Sequence, residues 1–382
     1  MTPPQGRALR ILMTADAVGG VWIYASTLAR ALCRKGFEVV LVTLGPEPRG
    51  DQLDAVTGIS GLTLEITDLA LEWIDPEGLD SERAADRLAS IERRVQPDVV
   101  HLNSYREAMY EWRSPVVVVA HSCVRSWWHA CRDEEPTEPR WLEYMAHVHA
   151  GLAAADRWVA PTGAFRDTIS RLYRPGSRGL AIWNGIVPYP SRARKQPFIL
   201  AAGRQWDEAK NLSVLGDIAP GVPWPIHTIG ATSVGSDNAS AAALPHSEGL
   251  RELSHDALLE TMQRASILAS PAVYEPFGLA VLEAAAAGCA LVLSDIDSFR
   301  ELWDEAALFV DARDKAEWQA ALASLTRNEA LREELQHRAA RRARRYSLRE
   351  TVSAYIELYE DISSGGRTIK RKPHPNSAEA RL

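Results

Sequence analysis

Two carboxylates, Glu275 and Glu283, stand eight residues apart in the run Tyr274-Glu-Pro-Phe-Gly-Leu-Ala-Val-Leu-Glu-Ala-Ala-Ala-Ala-Gly288. The Pro-Phe-Gly turn between them opens an alanine-rich helix, so Glu275 belongs to the preceding loop and Glu283 lies between one and two turns inside. Backbone N–H groups around Phe277–Leu279 lack intrahelical partners there, and with the positive end of the helix dipole they form an anion site. Carboxylates on both sides of an anion site suit a ligand with hydroxyls at each end and a diphosphate between them, as in a nucleotide sugar. By itself such a pair of glutamates reads as a capping carboxylate and a surface residue. A second cluster sharpens the choice.

Phe198–Asn211 reads Phe-Ile-Leu-Ala-Ala-Gly-Arg-Gln-Trp-Asp-Glu-Ala-Lys-Asn, a short apolar strand followed by a glycine and then Arg204 and Lys210 in the next loop. Cations at the carboxyl end of a strand, beside a helix start, sit where α/β sheets bind phosphate. Together the two segments resemble the donor site of family 4 of the glycosyltransferases, retaining enzymes of the GT-B fold. That family carries a Glu-x7-Glu motif and a Gly-Arg…Lys pair on its C-terminal domain. The resemblance runs over residues 8–362, and its most specific part is the Glu-Pro-Phe-Gly-Leu…Leu-Glu-Ala block.

The resemblance implies two Rossmann-like domains facing each other across a cleft, with a C-terminal helix crossing back onto the first. It implies a nucleotide diphosphate sugar as donor, UDP- or GDP-linked, and no resident cofactor. In that scheme Arg204, Lys210 and the backbone N–H groups of Gly278 and Leu279 meet the charge growing on the diphosphate as the anomeric C–O bond breaks. Losing one such group costs on the order of 3–4 kcal/mol of transition-state stabilisation. Glu283 accepts from the ribose hydroxyls, while Glu275 holds sugar hydroxyls and orients the ring. Retention in the family looks like departure and attack on one face around a short-lived oxocarbenium ion, so Glu275 is not assigned as a covalent nucleophile. No Asp-x-Asp cluster occurs in a site-like context, and the scheme requires no metal.

Further residues have two readings. The loop Asp16-Ala-Val-Gly19-Gly20 follows a strand and precedes a helix, where Gly-Gly lets backbone approach a phosphate without an intervening Cβ. It is equally a tight strand-to-helix turn, and it lacks the Gly-x-Gly-x-x-Gly spacing of dinucleotide enzymes. By resemblance it faces the donor diphosphate or the acceptor. His121 ends the strand Val116–Ala120 at the edge where ligands bind; alone it is a structural histidine, and by resemblance it contacts the transferred sugar. His101 and Asn103 occupy the same edge of the neighbouring strand and are expected to face the acceptor. Trp127, with Trp128, lines the acceptor side or simply packs. Asn184-Gly185 is expected to be structural. The five arginines of Arg338–Arg345 read as a solvated helix face, with weak peripheral membrane contact as the functional alternative, because family members take lipid acceptors through basic surfaces.

Departures from the family pattern concern loop shape. Arg204 and Lys210 are six apart, one more than expected; Ala290 stands where proline is common; and Ser294–Glu301 lacks the usual glycines.

Composition narrows the class. The chain has 382 residues, enough for two cores at 46% apolar content, and a formal charge of −7 that argues against nucleic acid as a partner. Cys33, Cys123, Cys131 and Cys289 show neither Cys-x-x-Cys nor matching histidine spacing, so no zinc site or disulfide framework is expected, and a reducing cytoplasm suits them. The polar first ten residues and the short apolar run after them read as a strand rather than a signal peptide. No stretch reaches the roughly 20 apolar residues of a membrane helix.

Strands are expected at Arg10–Thr14, Glu38–Leu44, Asp98–Leu102, Pro115–Ala120, Trp158–Ala160 and Gly179–Trp183, and helices at Val21–Lys35 and Ser81–Val95. After a boundary at Val187–Pro197 a second series starts at Phe198. It has strands at Pro225–Ile229, Ile267–Ser270, Ala290–Ser294 and Leu308–Val310, and helices at His255–Arg264, Gly278–Ala287, Asn328–Tyr346 and Leu348–Ile362. Continuous apolar strands alternating with helices indicate parallel, doubly wound α/β sheets. The expected division is 1–190 on the acceptor side with helix 348–362 packed on it, 191–347 for the donor, and a disordered tail at 363–382. Rival classes are another GT-B enzyme, such as a sugar-nucleotide epimerase or a phosphorylase, and a non-catalytic nucleotide-sugar-binding protein. Both glutamates and both cations together favour a transferase moving a hexosyl unit to a glycan, lipid or small molecule. Oligomeric state is not legible.

Overall fold

Apolar runs such as Val116–Val119, every residue of which is buried, must be covered on both faces. The chain does this with two all-parallel sheets flanked by helices. The computed structural model describes residues 8–187, 193–231, 248–250 and 253–364. Residues 188–192 of the expected boundary and 365–382 of the expected tail lie outside them.

The first half runs β1 (Arg10–Asp16), α1 (Gly20–Arg34), β2 (Glu38–Leu44), α2 (Gly50–Asp54), β3 (Leu62–Glu65), α3 (Ser81–Val95), β4 (Val99–Leu102), β5 (Val116–Val119), α4 (Val124–Arg132), α5 (Pro139–Ala154), β6 (Arg157–Ala160), α6 (Gly163–Tyr173) and β7 (Leu180–Ala181). The second runs β8 (Gln196–Ala202), α7 (Ser213–Ile218), β9 (Ile226–Ile229), β10 (Glu248–Leu250), α8 (His255–Arg264), β11 (Ala265–Ser270), α9 (Leu279–Ala286), β12 (Ala290–Ser294), α10 (Asp297–Trp303), β13 (Leu308–Val310), α11 (Lys315–Arg327), α12 (Glu329–Ala343) and α13 (Leu348–Ser364).

Strand order is β3-β2-β1-β4-β5-β6-β7 in one sheet and β10-β9-β8-β11-β12-β13 in the other. Each order reverses direction once, between β1 and β4 and between β8 and β11. Ligands of such sheets bind at the carboxyl ends of the strands beside that reversal, because the helices there leave to opposite faces and open a crevice. The two switch points thus nominate the ends of β1 and β4, and of β8 and β11, as the place to look for a site.

The last helix does cross back. Val352, Tyr355, Leu358 and Tyr359 of α13 are buried in one cluster with Ile11, Met13, Trp22 and Tyr24 of the first half. Each such side chain contributes about 1.5–3 kcal/mol of burial before ordering costs, which ties the helix to that half. It runs to Ser364, two residues beyond the expected end, so Ser363 and Ser364 belong to the helix and not to a tail. The two connections between halves run side by side: Leu348 N donates to Ile186 O at 2.9 Å and Ile186 N to Tyr346 O at 3.2 Å. A Cβ at Gly185 would stand 2.4 Å from the Ser347 carbonyl, which is why that turn takes glycine.

Of the Arg338–Arg345 run, Arg338 pairs with Glu334 on the exposed face of α12, while Arg342 donates to the Leu302 and Asp304 carbonyls at the end of α10. No helix among the described residues is long and apolar enough to cross a membrane.

Candidate active site

The loop after β8 carries Gly203, Arg204 and, one short 3-10 turn later, Lys210. Asp207 organises it. One carboxylate oxygen caps the turn by accepting Ala209 N at 3.0 Å, and the other takes Arg204 Nη2 at 2.6 Å. Burial pushes this carboxyl up, but the Arg204 charge, hydrogen bonds from Trp127 and Arg204, and Lys210 nearby hold it below the usual carboxylate range. Lys210 Nζ contacts Glu275 Oε2 at 2.6 Å, so the expected phosphate cation and the expected sugar carboxylate touch each other at the ends of β8 and β11. Ser298 Oγ, from α10, donates to the Glu275 carbonyl at 2.5 Å and fixes the loop from behind.

Gly278, with φ +84°, is the N-cap of α9; a side chain there would strain the backbone. Leu282 N to Gly278 O is the helix's first turn-closing bond, which leaves the first-turn amides without intrahelical partners. The helix starts one residue later than expected. The Phe277 side chain is buried in the second half's core against Tyr346, so only its backbone can meet a ligand. Glu283 is 4% exposed inside the helix, and its Oε1 lies 2.7 Å from His255 Nε2 at the start of α8. The hydrogen bond to Glu283 raises the His255 pKa against the opposing effect of burial.

Across the cleft, Gly19 precedes α1 with φ +82°, and a Cβ there would stand 3.0 Å from Arg204 Nη1. A Cβ at Gly20 would meet Leu279 Cδ1 at 3.9 Å. The starts of α1 and α9 therefore face each other, and Arg204 lies against that of α1. Asp16, ending β1, accepts Val18 N at 2.9 Å; burial raises its pKa to about 6 against the lowering effects of that amide and of Arg204.

The expected acceptor residues divide. Asn103 Nδ2 donates to Thr14 O at 2.6 Å, which turns Oδ1 toward two histidines: His121 Nε2 at 2.7 Å and His101 Nε2 at 3.2 Å. Tyr359 of α13 then donates to His101 Nδ1 at 2.7 Å. With each Nε2 protonated, both rings are neutral, in keeping with burial that lowers the pKa of His121 to about 3, helped by His101, and that of His101 to about 4. His121 keeps its Nδ1 as a hydrogen-bond acceptor. His101 is fully buried, so it does not face an acceptor as expected; its β4 position points under the crossover helix, and it braces Asn103 and His121 instead. Trp127 is half-buried, and its indole N–H donates to Asp207 Oδ1 at 3.0 Å, so it packs against the loop after β8, the second of its two expected uses.

The halves also meet away from the chemistry. The Glu301 carboxylate of α10 caps α6, accepting Gly163 N at 3.0 Å, Ala164 N at 2.7 Å and Trp183 Nε1 at 2.9 Å. Asp16, Asp207, His255, Tyr274 and Glu301 escaped the sequence reading. Only Asp16, at the carboxyl end of the first strand, and Asp207, three residues after Arg204, carry a local signal. Among the described residues no three His, Cys, Asp or Glu side chains gather as a metal set.

Comparison with known proteins identifies the family. The model of Glycosyltransferase Family 4 matches residues 18–188, and that of Glycosyl transferases group 1 matches residues 238–345. A D-inositol 3-phosphate glycosyltransferase of Xylanimonas cellulosilytica is 25% identical over 404 residues, covering 94% of each chain. A phosphatidyl-myo-inositol mannosyltransferase of Mycobacterium leprae is 29% identical over 181 residues, 45% of this chain and 48% of that one. The solved sucrose-phosphate synthase of Thermosynechococcus elongatus superposes with a TM-score of 0.75 at 15% identity, covering 94% of this chain and 100% of its own, a likeness of fold.

Proposed function

The chain belongs to the GT-B glycosyltransferases, with a family 4 domain ahead of a group 1 domain, and on that premise we propose that it moves a hexosyl unit from a nucleotide diphosphate sugar to an acceptor hydroxyl with retention of anomeric configuration. The observation that carries this reading is the Lys210–Glu275 contact beside Arg204 and the first turn of α9. It supports the reading because a cation suited to phosphate and a carboxylate suited to sugar hydroxyls are within one contact of each other, as cleavage of the bond between phosphate and anomeric carbon would need.

As that bond breaks, Arg204, Lys210 and the α9 amides receive the charge growing on the diphosphate, in a cleft where such contacts are stronger than in water. Lys210 shares its charge with the phosphate oxygens, and Glu275 is released to accept from sugar hydroxyls as the ring turns positive. Glu283 accepts from the ribose, the part that donor and free nucleotide have in common. His121, neutral and with Nδ1 as acceptor, takes a hydroxyl of the transferred sugar. The acceptor hydroxyl attacks on the face the leaving group vacates and passes its proton to an oxygen of the departing diphosphate, without a covalent intermediate. Two cations and a helix N-terminus serve the leaving group, so the scheme requires no divalent metal.

Relatives named for inositol phosphate and phosphatidyl-myo-inositol make a polyol hydroxyl the first acceptor to try. The test is incubation with UDP-glucose, UDP-galactose, UDP-N-acetylglucosamine, ADP-glucose and GDP-mannose, with and without myo-inositol, followed by proton NMR. The expected product, glycoside or free sugar, first forms in the donor's anomeric configuration, and Arg204→Ala slows it at least about a hundredfold. An inverted product overturns retention, and an unchanged rate in Arg204→Ala overturns the donor site.

A further inference from the structure

Glu275 and Arg204 are carried by the second half of the chain, yet the residues beside them are tied to the first half. Tyr274, directly ahead of Glu275, accepts Cys123 N–H at its hydroxyl at 3.1 Å and lies 2.8 Å from Ser126 Oγ. Ser126 Oγ is within 3.0 Å of the Cys123 carbonyl and donates to it, so the Tyr274 hydroxyl proton goes to Ser126. The Tyr274 ring packs edge-on to Phe165, with centroids 6.2 Å apart, and joins the first half's core. On the other side of Glu275, the Pro276 carbonyl accepts from Thr162 Oγ1 at 3.0 Å. Glu275 is bracketed by the opposite half.

Arg204 is held in the same indirect way. Its partner Asp207 takes the Trp127 indole N–H, and the next residue, Glu208, pairs with Arg132 at 3.2 Å. Cys123, Ser126, Trp127 and Arg132 are the N-cap and body of one helix, α4, which follows His121 in the chain.

We infer that α4 is a template through which the acceptor-side half sets the donor-side groups, with Tyr274 and Trp127 as positioning residues that bring Glu275 and Arg204 into register when the halves close. The inference rests on the donor-site reading above. In an open cleft the Tyr274 hydroxyl and the Asp207 carboxylate exchange these partners for water, and the two loops regain freedom. In the closed cleft the hydrogen bonds fix both loops while water is expelled, so the catalytic arrangement is completed only around a sequestered donor.

Tyr274→Phe keeps the ring and removes the hydroxyl; Trp127→Phe keeps an aromatic ring and removes the indole N–H. Each is compared with wild type for hydrolysis of whichever of the five donors is cleaved fastest, for UDP and GDP affinity by calorimetry, and for melting temperature. Tyr274→Phe is expected to lower kcat about 10- to 100-fold, because Glu275 is misaimed. KM and diphosphate affinity stay within about threefold, since Glu283, Lys210 and the α9 amides are untouched. Ser126→Ala should reproduce this effect, and the combined variant should be no worse than either alone. Trp127→Phe should instead weaken diphosphate binding about 10-fold through Arg204.

Wild-type kinetics and affinity in Tyr274→Phe and Trp127→Phe, with Glu275→Ala inactive, overturn the inference and leave the donor site standing. An active Glu275→Ala, or a wild type that cleaves none of the five donors, removes the donor-site reading and this inference with it. If Tyr274→Phe does not fold, Ser126→Ala decides: an unchanged kcat overturns the template, and a fall of the stated size at an intact melting temperature supports it.

Discussion

Replacing Lys210 with methionine leaves the Glu275 carboxylate without the charge that touches it. Nζ and Oε2 are 2.6 Å apart, and the two side chains are 20% and 18% exposed, so the pair is neither a surface bridge nor a dry one. At an effective dielectric of about 20, two unit charges at that separation attract by about 6 kcal/mol; desolvation and side-chain ordering offset most of this, leaving a coupling of about 1–3 kcal/mol. Lys210→Met and Glu275→Gln should therefore each lower stability by about 1–3 kcal/mol, whereas the double variant should be no less stable than either single one. Urea denaturation of the four proteins gives the coupling directly. Turnover should behave differently, with all three variants losing at least about a hundredfold because each lacks a group the transition state needs. Stabilities that simply add, within about 0.3 kcal/mol, would refute the ion pair. Turnover restored in the double variant would refute the separate roles of the two residues in transfer.

Glu283→Ala should weaken the nucleotide diphosphate and its sugar alike by about 10- to 150-fold, as charge-assisted bonds to the ribose are lost, while Glu275→Ala keeps diphosphate affinity and loses turnover. Equal losses of affinity by calorimetry for UDP or GDP, whichever the wild type binds, would contradict that division. Gly19→Ala places a Cβ 3.0 Å from Arg204 Nη1 at φ +82°, so it should cost about 1–3 kcal/mol of stability and lower turnover about tenfold; a wild-type rate would mean Arg204 does not rest on that loop in the working enzyme. Asp16 has a native pKa raised from 3.8 to about 6, mainly by burial. Its contribution is thus fully present below pH 3.8 and is lost as pH rises through 6, a change of about 3 kcal/mol. Asp16→Asn should match wild type near pH 4 and exceed it in urea stability at neutral pH; a difference between the two proteins that does not grow with pH would contradict this.

Several elements were legible in full. The expected bounds of β2, α3, α8, β12 and β13 are the observed ones, because buried strands and amphipathic helices leave their period in the chain. The run from Pro139 to Ala154 forms α5, and α4, α6, α7, α10 and α11 also form, without having been read from the sequence. In α4, α5 and α6 the apolar residues are interleaved with arginine or histidine, and α7 and α10 are only 6 and 7 residues long, too few turns to show a helical period. The acceptor-facing position foreseen for His101 failed for another reason: residue type and position at a strand edge say that a side chain is near a site, not which neighbour it meets.

Read along the chain, the groups of the proposed site already have their local setting: Arg204 and Lys210 in the loop after β8, Glu275 before a helix start, Glu283 inside that helix, and Gly19-Gly20 after β1. Helix starts, glycine turns and strand ends are set by neighbours within a few residues, so they can be read along the chain. Their partners come from contacts distant in the chain. Lys210 meets Glu275 across 65 residues, Tyr274 meets Ser126 across 148, and Tyr359 meets His101 across 258. These contacts exist because two separately folded sheets are held in one orientation by a crossover helix and a paired linker. That orientation is set by non-local burial over surfaces that no periodicity in the chain encodes.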